Sequence, residues 1–295
     1  MTSSDDALHA SESPYRAAGS LAGRTILISG GSRGIGLAIA RRAARDGANI
    51  VLLAKTGEPH PKLAGTVYTA AEELVKAGGQ ALPLVGDVRR DEDVAGAVAA
   101  ATERFGGIDV VINNASAIDL SATDAVDMKK YDLMQDINVR GTFLLSKLAL
   151  PALRASEQGH ILTLSPPLNL DPKWAGRHLA YTMAKYGMSL TTLGLAEELK
   201  TDGIRVNSLW PCTLIDTAAI RNMPHGETMV LAARGPQIMA DAAHAVLTGG
   251  NLAAGAPPSG NFYTDEQVLS AAGVTDFRPY SLGAPEDRLV PDIFL

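Results

Sequence analysis

Short, largely apolar runs at 26–28, 49–54, 81–85, 110–112, 160–164 and 205–209 punctuate the chain. Runs of that length without polar alternation suit strands buried on both faces, as in a parallel sheet. Between them, near 35–46, 69–78, 92–105, 131–149, 181–200 and 236–247, the apolar positions return every three to four residues. That is the period of a helix with one face on a core. Gly47, Gly78 with Gly79, Gly106 with Gly107, and Gly203 close four of these helices, where a residue free to take a positive φ is favoured. A loop rich in Gly, Pro and Ala at 251–260 precedes a last short strand at 261–263. Strand alternating with helix predicts the α/β class, a doubly wound parallel sheet in a single domain over 21–269. The pattern fails at both ends: 1–20 reads as a mobile N-terminal tail, and 270–295, without periodicity, as a C-terminal tail.

Composition narrows the class further. The 295 residues, 46% hydrophobic and 20% charged, suffice for one large core. No window has the length and apolarity of a membrane span, so no membrane partner is expected. The Ser/Ala/Asp-rich start lacks the basic end and apolar stretch of a signal peptide, which points to a cytoplasmic location. Cys212, the lone cysteine, cannot form an internal disulfide, and the six histidines show no ligand spacing, so no metal is expected. A net charge of −6 with scattered basic residues argues against nucleic acid as a partner.

The first strand runs into Ser29, Gly30, Gly31, Ser32, Arg33, Gly34, Ile35 and Gly36, and then into a helix. A bound pyrophosphate needs free N–H groups at a helix N-terminus, and glycines where a Cβ would block the turn, the phosphates or helix packing. Gly30, Gly34 and Gly36 fit those needs, which makes a Rossmann-type dinucleotide site the leading reading; a plain strand-to-helix connection is the competing one. The spacing is G-x-x-x-G-x-G and not G-x-G-x-x-G, and Leu37 stands where a phosphate-loop NTPase requires Lys.

Tyr181 and Lys185 lie four apart on the helix predicted after the strand that ends at Ser165, so phenol and ammonium share a face. Alone, such a pair also describes a solvated face. Order along the chain adds to it: glycine turn, then Asn113-Asn114-Ala115, then Asn138, Ser165, Tyr181 and Lys185. In that order, over 21–269, the chain resembles the short-chain dehydrogenase/reductase family, with its T-G-x-x-x-G-x-G, its N-N-A-G, and its Ser with Tyr-x-x-x-Lys. Ser29 replaces the Thr and Ser116 the last Gly. The stretches from Lys55 to Lys62 and from Ser165 to Leu170 resemble the hydroxysteroid dehydrogenase-like branch. Its larger members add a C-terminal sterol-carrier domain, for which this chain ends too early.

The resemblance implies an oxidoreductase that moves a hydride between NADP, with NAD possible, and an alcohol or carbonyl. Carried over residue by residue, Tyr181 is the acid/base, and Lys185 binds the nicotinamide ribose and, as a neighbouring cation, lowers the phenol from its ordinary value near 10. Ser165 holds the substrate oxygen, and Asn138 supports a water relay to the lysine. Implied cofactor contacts are Ser29, Gly30, Ser32, Arg33, Gly34, Ile35, Gly36, Lys55, Asp87, Val88, Asn113, Ala115, Tyr181, Lys185, Pro211 and Thr213. Several have a second reading: Asp87 as a turn or cap residue, Asn113 as turn chemistry, Asn138 as a tolerated mid-helix Asn. Trp210-Pro211-Cys212-Thr213 departs from the family's Pro-Gly, which leaves the carboxamide contacts open.

NADP is expected because Lys55 stands where NAD enzymes carry an acidic residue, with Arg33 flanking the same position, although both also read as surface cations. Pro166, Pro167, Leu168, Leu170 and Trp174 after the fifth strand, and Trp210, Leu214, Ile215, Ile220 and Met223 after the sixth, predict an apolar pocket for a lipid-like substrate. Phe143, Leu144, Leu148, Leu190, Leu193 and Leu195 are more than one core-facing stripe needs, which predicts a homo-oligomer, by family habit a tetramer. The alternative is a non-catalytic nucleotide-binding scaffold that retains the fold. The presence of Asn138, Ser165, Tyr181 and Lys185 favours the enzyme. A methyltransferase would want a carboxylate for the ribose where Lys55 stands.

Overall fold

Ile26, Leu27 and Ile28 are all shut off from water, so β1 (Thr25–Ser29) has to lie inside a sheet covered on both faces. The computed structural model, which describes residues 13–59, 65–249 and 258–295, places it there. With β2 (Asn49–Ala54), β3 (Gln80–Val85), β4 (Val110–Asn113), β5 (His160–Thr163), β6 (Arg205–Trp210) and β7 (Phe262–Thr264), it forms a seven-stranded sheet in the order β3-β2-β1-β4-β5-β6-β7, parallel throughout. The order reverses between β1 and β4, which opens a crevice above the carboxyl ends of those strands. β3, at one edge, carries Pro83 opposite Leu52 of β2.

One face of the sheet is covered by α1 (Gly34–Arg45), α2 (Val67–Lys76), α10 (Gln237–Thr248) and α11 (Asp265–Ala271), through Ile39, Leu74, Ile238 and Leu269. The other is covered by α3 (Asp91–Phe105), α5 (Gly141–Ala155) and α7 (Leu179–Glu198), through Val94, Leu145 and Leu195. Each fully buried Leu or Ile contributes about 2 kcal/mol, so these two layers of aliphatic contact hold the sheet. α4 (Met128–Met134), α6 (Pro172–Arg177), α8 (Ala218–Arg221) and α9 (Gly226–Met229) are short pieces in the connections.

Two expected elements differ. The helix expected at 131–149 runs from Met128 to Ala155 and is interrupted at Gln135–Arg140 by a π turn that contains Asn138. It also continues past Pro151, so the proline does not end it. The stretches expected as tails are packed where they are described. Tyr15 is buried, its hydroxyl 3.0 Å from His244 Nδ1, and the Tyr280 hydroxyl donates to Asp241. Residues 277–294 lie along 212–235, pinned by Arg234, which is buried and paired with Glu266 and Glu286. Residues 1–12, His60 to Lys62 and 251–257 lie outside the described residues.

Candidate active site

The glycine turn is built around Ser29 and Asn114. The Ser29 hydroxyl accepts from the N–H groups of Asn114 and Ala115, both at 3.1 Å, and so ties the end of β1 to the end of β4. The Asn114 amide donates to the carbonyls of Ser29 and Gly30, each at 3.0 Å. Gly30 and Gly34 take φ of +72° and +59°, a region that Cβ-bearing residues avoid. A Cβ on Gly36 would lie 2.6 Å from Asn114 Nδ2, so the helix could not pack as closely with any other residue. α1 begins after Arg33 with no side-chain cap, which leaves its first-turn N–H groups open to an anion.

Above this turn is a cavity of about 590 Å³ lined by Gly30, Ser32, Arg33, Gly34, Ile35, Lys55, Asp87, Val88 and Ala115, all predicted cofactor contacts. Asn114, Ser116, Ile137 and Thr217 join them. Asn113, which the sequence reading preferred to Asn114, is placed elsewhere. Its amide donates to Ser146 and Thr163 inside the sheet, since strand alternation turns successive side chains to opposite faces. On the wall of the cavity, Lys55 Nζ lies 3.4 Å from the Asp87 carboxylate, which also takes 2.6 Å and 3.0 Å contacts from the Arg89 guanidinium. The Arg89 guanidinium holds Asp87 well below the ordinary carboxylate range. Arg33 donates to the Gly65 carbonyl at 2.9 Å. Pro211 and Thr213 do not line the cavity, yet the Thr213 hydroxyl is buried without a protein partner. The glycine cradle and the uncapped helix start together fit a dinucleotide.

α7 brings Tyr181 and Lys185 to the carboxyl edge of the sheet, both buried. Lys185 Nζ donates to the Leu164 carbonyl at 2.9 Å and lies 5.1 Å over the Trp210 ring. Asn138 is pinned through its amide to the Ala117 backbone, at 2.8 and 3.0 Å. Its neighbours in the π turn face both ways: Ile137 lines the cavity, while Val139 packs against Gly187 and the cluster around Tyr181. Ser165 has a hydroxyl partner of its own. Its hydroxyl is 2.8 Å from Ser208 Oγ, and Ser208 donates to Thr192 at 2.8 Å, so a chain of hydroxyls between β6 and α7 occupies it.

The electrostatics also differ from the sequence expectation. Burial, reinforced by Asp292, pushes the Tyr181 phenol above its ordinary value, and no lowering by Lys185 is felt. Burial pulls Lys185 down to about 7, opposed by Asp292. Burial pushes Asp292 up to about 7. Tyr181 is therefore a protonated phenol in this conformation.

Asp292 and Phe294 are the residues that the sequence left out. The Phe294 ring lies against Tyr181, Tyr186, Trp174 and Trp210, and Trp210 Nε1 donates to the Ile293 carbonyl at 2.9 Å. The only available signal was three apolar residues after a Pro-Asp pair at the end of an aperiodic stretch. The predicted apolar pocket residues divide: Trp174, Trp210 and Leu214 are buried, Ile215 packs into the core on the α1 side, and Leu170 is 86% exposed.

Among the described residues, no helix is long and apolar enough to cross a membrane. Comparison with known proteins matches residues 24–228 to the family model for short chain dehydrogenases. Hydroxysteroid dehydrogenase-like protein 2 of Xenopus laevis is 53% identical over 277 residues, which is 94% of this chain and 64% of that protein. The human protein of the same name is 50% identical over 279 residues, with the same coverage of each. The chain thus spans 64% of the length of these curated relatives. A crystal structure of a short chain dehydrogenase from Mycobacterium thermoresistibile superposes with a TM-score of 0.86 at 51% identity, over 94% of this chain and 96% of that one.

Proposed function

The chain belongs to the short-chain dehydrogenase/reductase family, and from that premise we propose that it exchanges a hydride between NADP and an apolar, lipid-like carbonyl or secondary alcohol. Membership brings a nicotinamide cofactor, NAD or NADP, and a small-molecule substrate. The observation that carries the finer reading is the position of Tyr181, in a cluster of aromatic and aliphatic side chains beside the glycine-turn cavity. An environment with so few polar groups favours carbon chains and rings over sugars or charged metabolites.

When bound, the nicotinamide supplies or accepts the hydride. In the reducing direction Tyr181 Oη gives its proton to the carbonyl oxygen as the hydride reaches the carbon, so that the ketone becomes an alcohol. Lys185 would balance the phenolate left behind and would hold the cofactor ribose; Asn138 keeps the π turn, and with it Ile137, at the wall of the cavity. Ser165 is left out of this assignment because Ser208 already engages its hydroxyl.

The test follows NADPH absorbance with linear methyl ketones from 2-butanone to 2-undecanone. Each added methylene is worth about 0.8 kcal/mol when buried, so kcat/KM rises severalfold per carbon until the pocket is full. A flat series, or faster turnover of short polar carbonyls, removes the lipid-like assignment.

The tetramer belongs to the same proposal. Phe143, Leu190 and Leu193 are 54%, 58% and 48% exposed on α5 and α7, an apolar surface that a second copy would cover, whereas Leu144 and Leu195 pack inward. A monomeric mass by light scattering at micromolar concentration would refute it.

A further inference from the structure

A phenyl ring already occupies the aromatic cluster at Tyr181. Phe294 packs on the Tyr181 ring with centroids 6.1 Å and planes 28° apart. The same phenyl meets Tyr186 at 5.3 Å, Trp210 at 5.9 Å and Trp174 at 6.1 Å, and it is 2% exposed. The segment that delivers it runs antiparallel to the loop after β6. Leu214 N–H donates to the Val290 carbonyl at 2.8 Å, and Asp292 N–H to the Cys212 carbonyl at 3.0 Å.

Two features mark this as a replaceable occupant and not a fixed wall. Phe294 is held at φ of +79°, a region that a bulky L residue adopts only under restraint, so packing in the cage is opposed by its own backbone. The cavity over the glycine turn also has neither Tyr181 nor Phe294 on its wall, so it stops short of the phenol. A substrate whose oxygen reaches Tyr181 must put its carbon skeleton beside that ring, and the phenyl stands in that place.

On the reading given under Proposed function, we propose that Phe294 is the specificity-determining residue of this site. It fills the cage of Trp174, Tyr181, Tyr186 and Trp210 between turnovers, and an apolar substrate gains access by replacing it. The selected substrates carry, next to the carbonyl, a ring or alkyl chain large enough to fill the volume of a benzyl group. Small polar carbonyls gain too little in the cage to displace the phenyl. Withdrawal of the segment also takes the Asp292 carboxyl away from Lys185 and Tyr181.

The experiment compares wild type with Phe294→Leu and Phe294→Ala, using 2-undecanone and 2-butanone as probes in the NADPH assay. With the competing ring gone, KM for 2-undecanone falls about tenfold in Phe294→Ala and severalfold in Phe294→Leu, with kcat little changed. Phe294→Leu keeps the cage filled with apolar volume, so the comparison survives if Phe294→Ala folds poorly. In parallel, hydrogen exchange is measured on wild-type residues 212–214 and 289–294 with 2-undecanone and NADP, a pair that cannot turn over. Exchange at Asp292 and Leu214 quickens as their bonds open. If wild type reduces 2-undecanone while neither variant lowers KM and exchange is unchanged, the replacement idea is overturned and the dehydrogenase reading stands. Turnover by the variants alone supports it. Absence of turnover in all three removes the substrate reading and this inference with it.

Discussion

Tyr181→Phe lowers kcat toward an apolar ketone by about a thousandfold and leaves the cofactor dissociation constant within about twofold of wild type. The substitution removes one oxygen. The ring remains packed on Phe294 in its aromatic cluster, so the fold and the cavity over the glycine turn are kept. What is lost is the only proton donor that the proposed mechanism gives to the substrate oxygen, because the Ser165 hydroxyl is engaged with Ser208. Lys185→Ala differs in kind. It strips the Leu164 carbonyl of its donor and leaves the raised Asp292 carboxyl without a neighbouring cation. Both turnover and cofactor affinity fall, and so does the melting temperature. Stopped-flow turnover and calorimetric cofactor titration on both variants check the pair of outcomes. A near-normal kcat in Tyr181→Phe would raise the scaffold reading above the enzyme.

On the proposed reading, wild type is expected to use NADPH over NADH by about a hundredfold in kcat/KM, on the strength of charge-assisted contacts to a 2′-phosphate worth about 1.5–3 kcal/mol each. Arg33 and Lys55 both line the cavity, and Lys55 is 3.4 Å from Asp87. Arg33→Ala and Lys55→Ala each reduce NADPH use by about tenfold and leave NADH use nearly unchanged, and the double variant brings the two cofactors close to parity. Parallel kinetics with the two cofactors provides the check. Equal use by the wild type would sink the assignment.

Most of the strands were legible because they are short, largely apolar runs, a pattern that a doubly covered parallel sheet produces. The glycine turn was legible for a related reason: Gly30 and Gly34 sit at positive φ, a local constraint that leaves its mark within a few residues. Asn113 was misplaced because a one-residue shift in a strand changes the face, and the sequence does not say which of two adjacent asparagines points out. Ser165 looked available since its partners, Ser208 and Thr192, come from distant segments. Asp292 and Phe294 were missed for the same reason. They sit in an extended stretch whose burial is set by β6 and α7, and such a stretch has no period to read.

Pro83 on the edge strand β3 bears on a different property. A strand with one free side presents unpaired N–H and C=O groups to any other chain with a similar edge. Proline removes one of those donors, and at the opposite edge β7 is only three residues long. The sheet is thus closed to growth at both margins by composition and by length. Any association between copies would then fall to helical surfaces, and chains that open transiently would lack the long, flat template from which cross-β aggregates elongate.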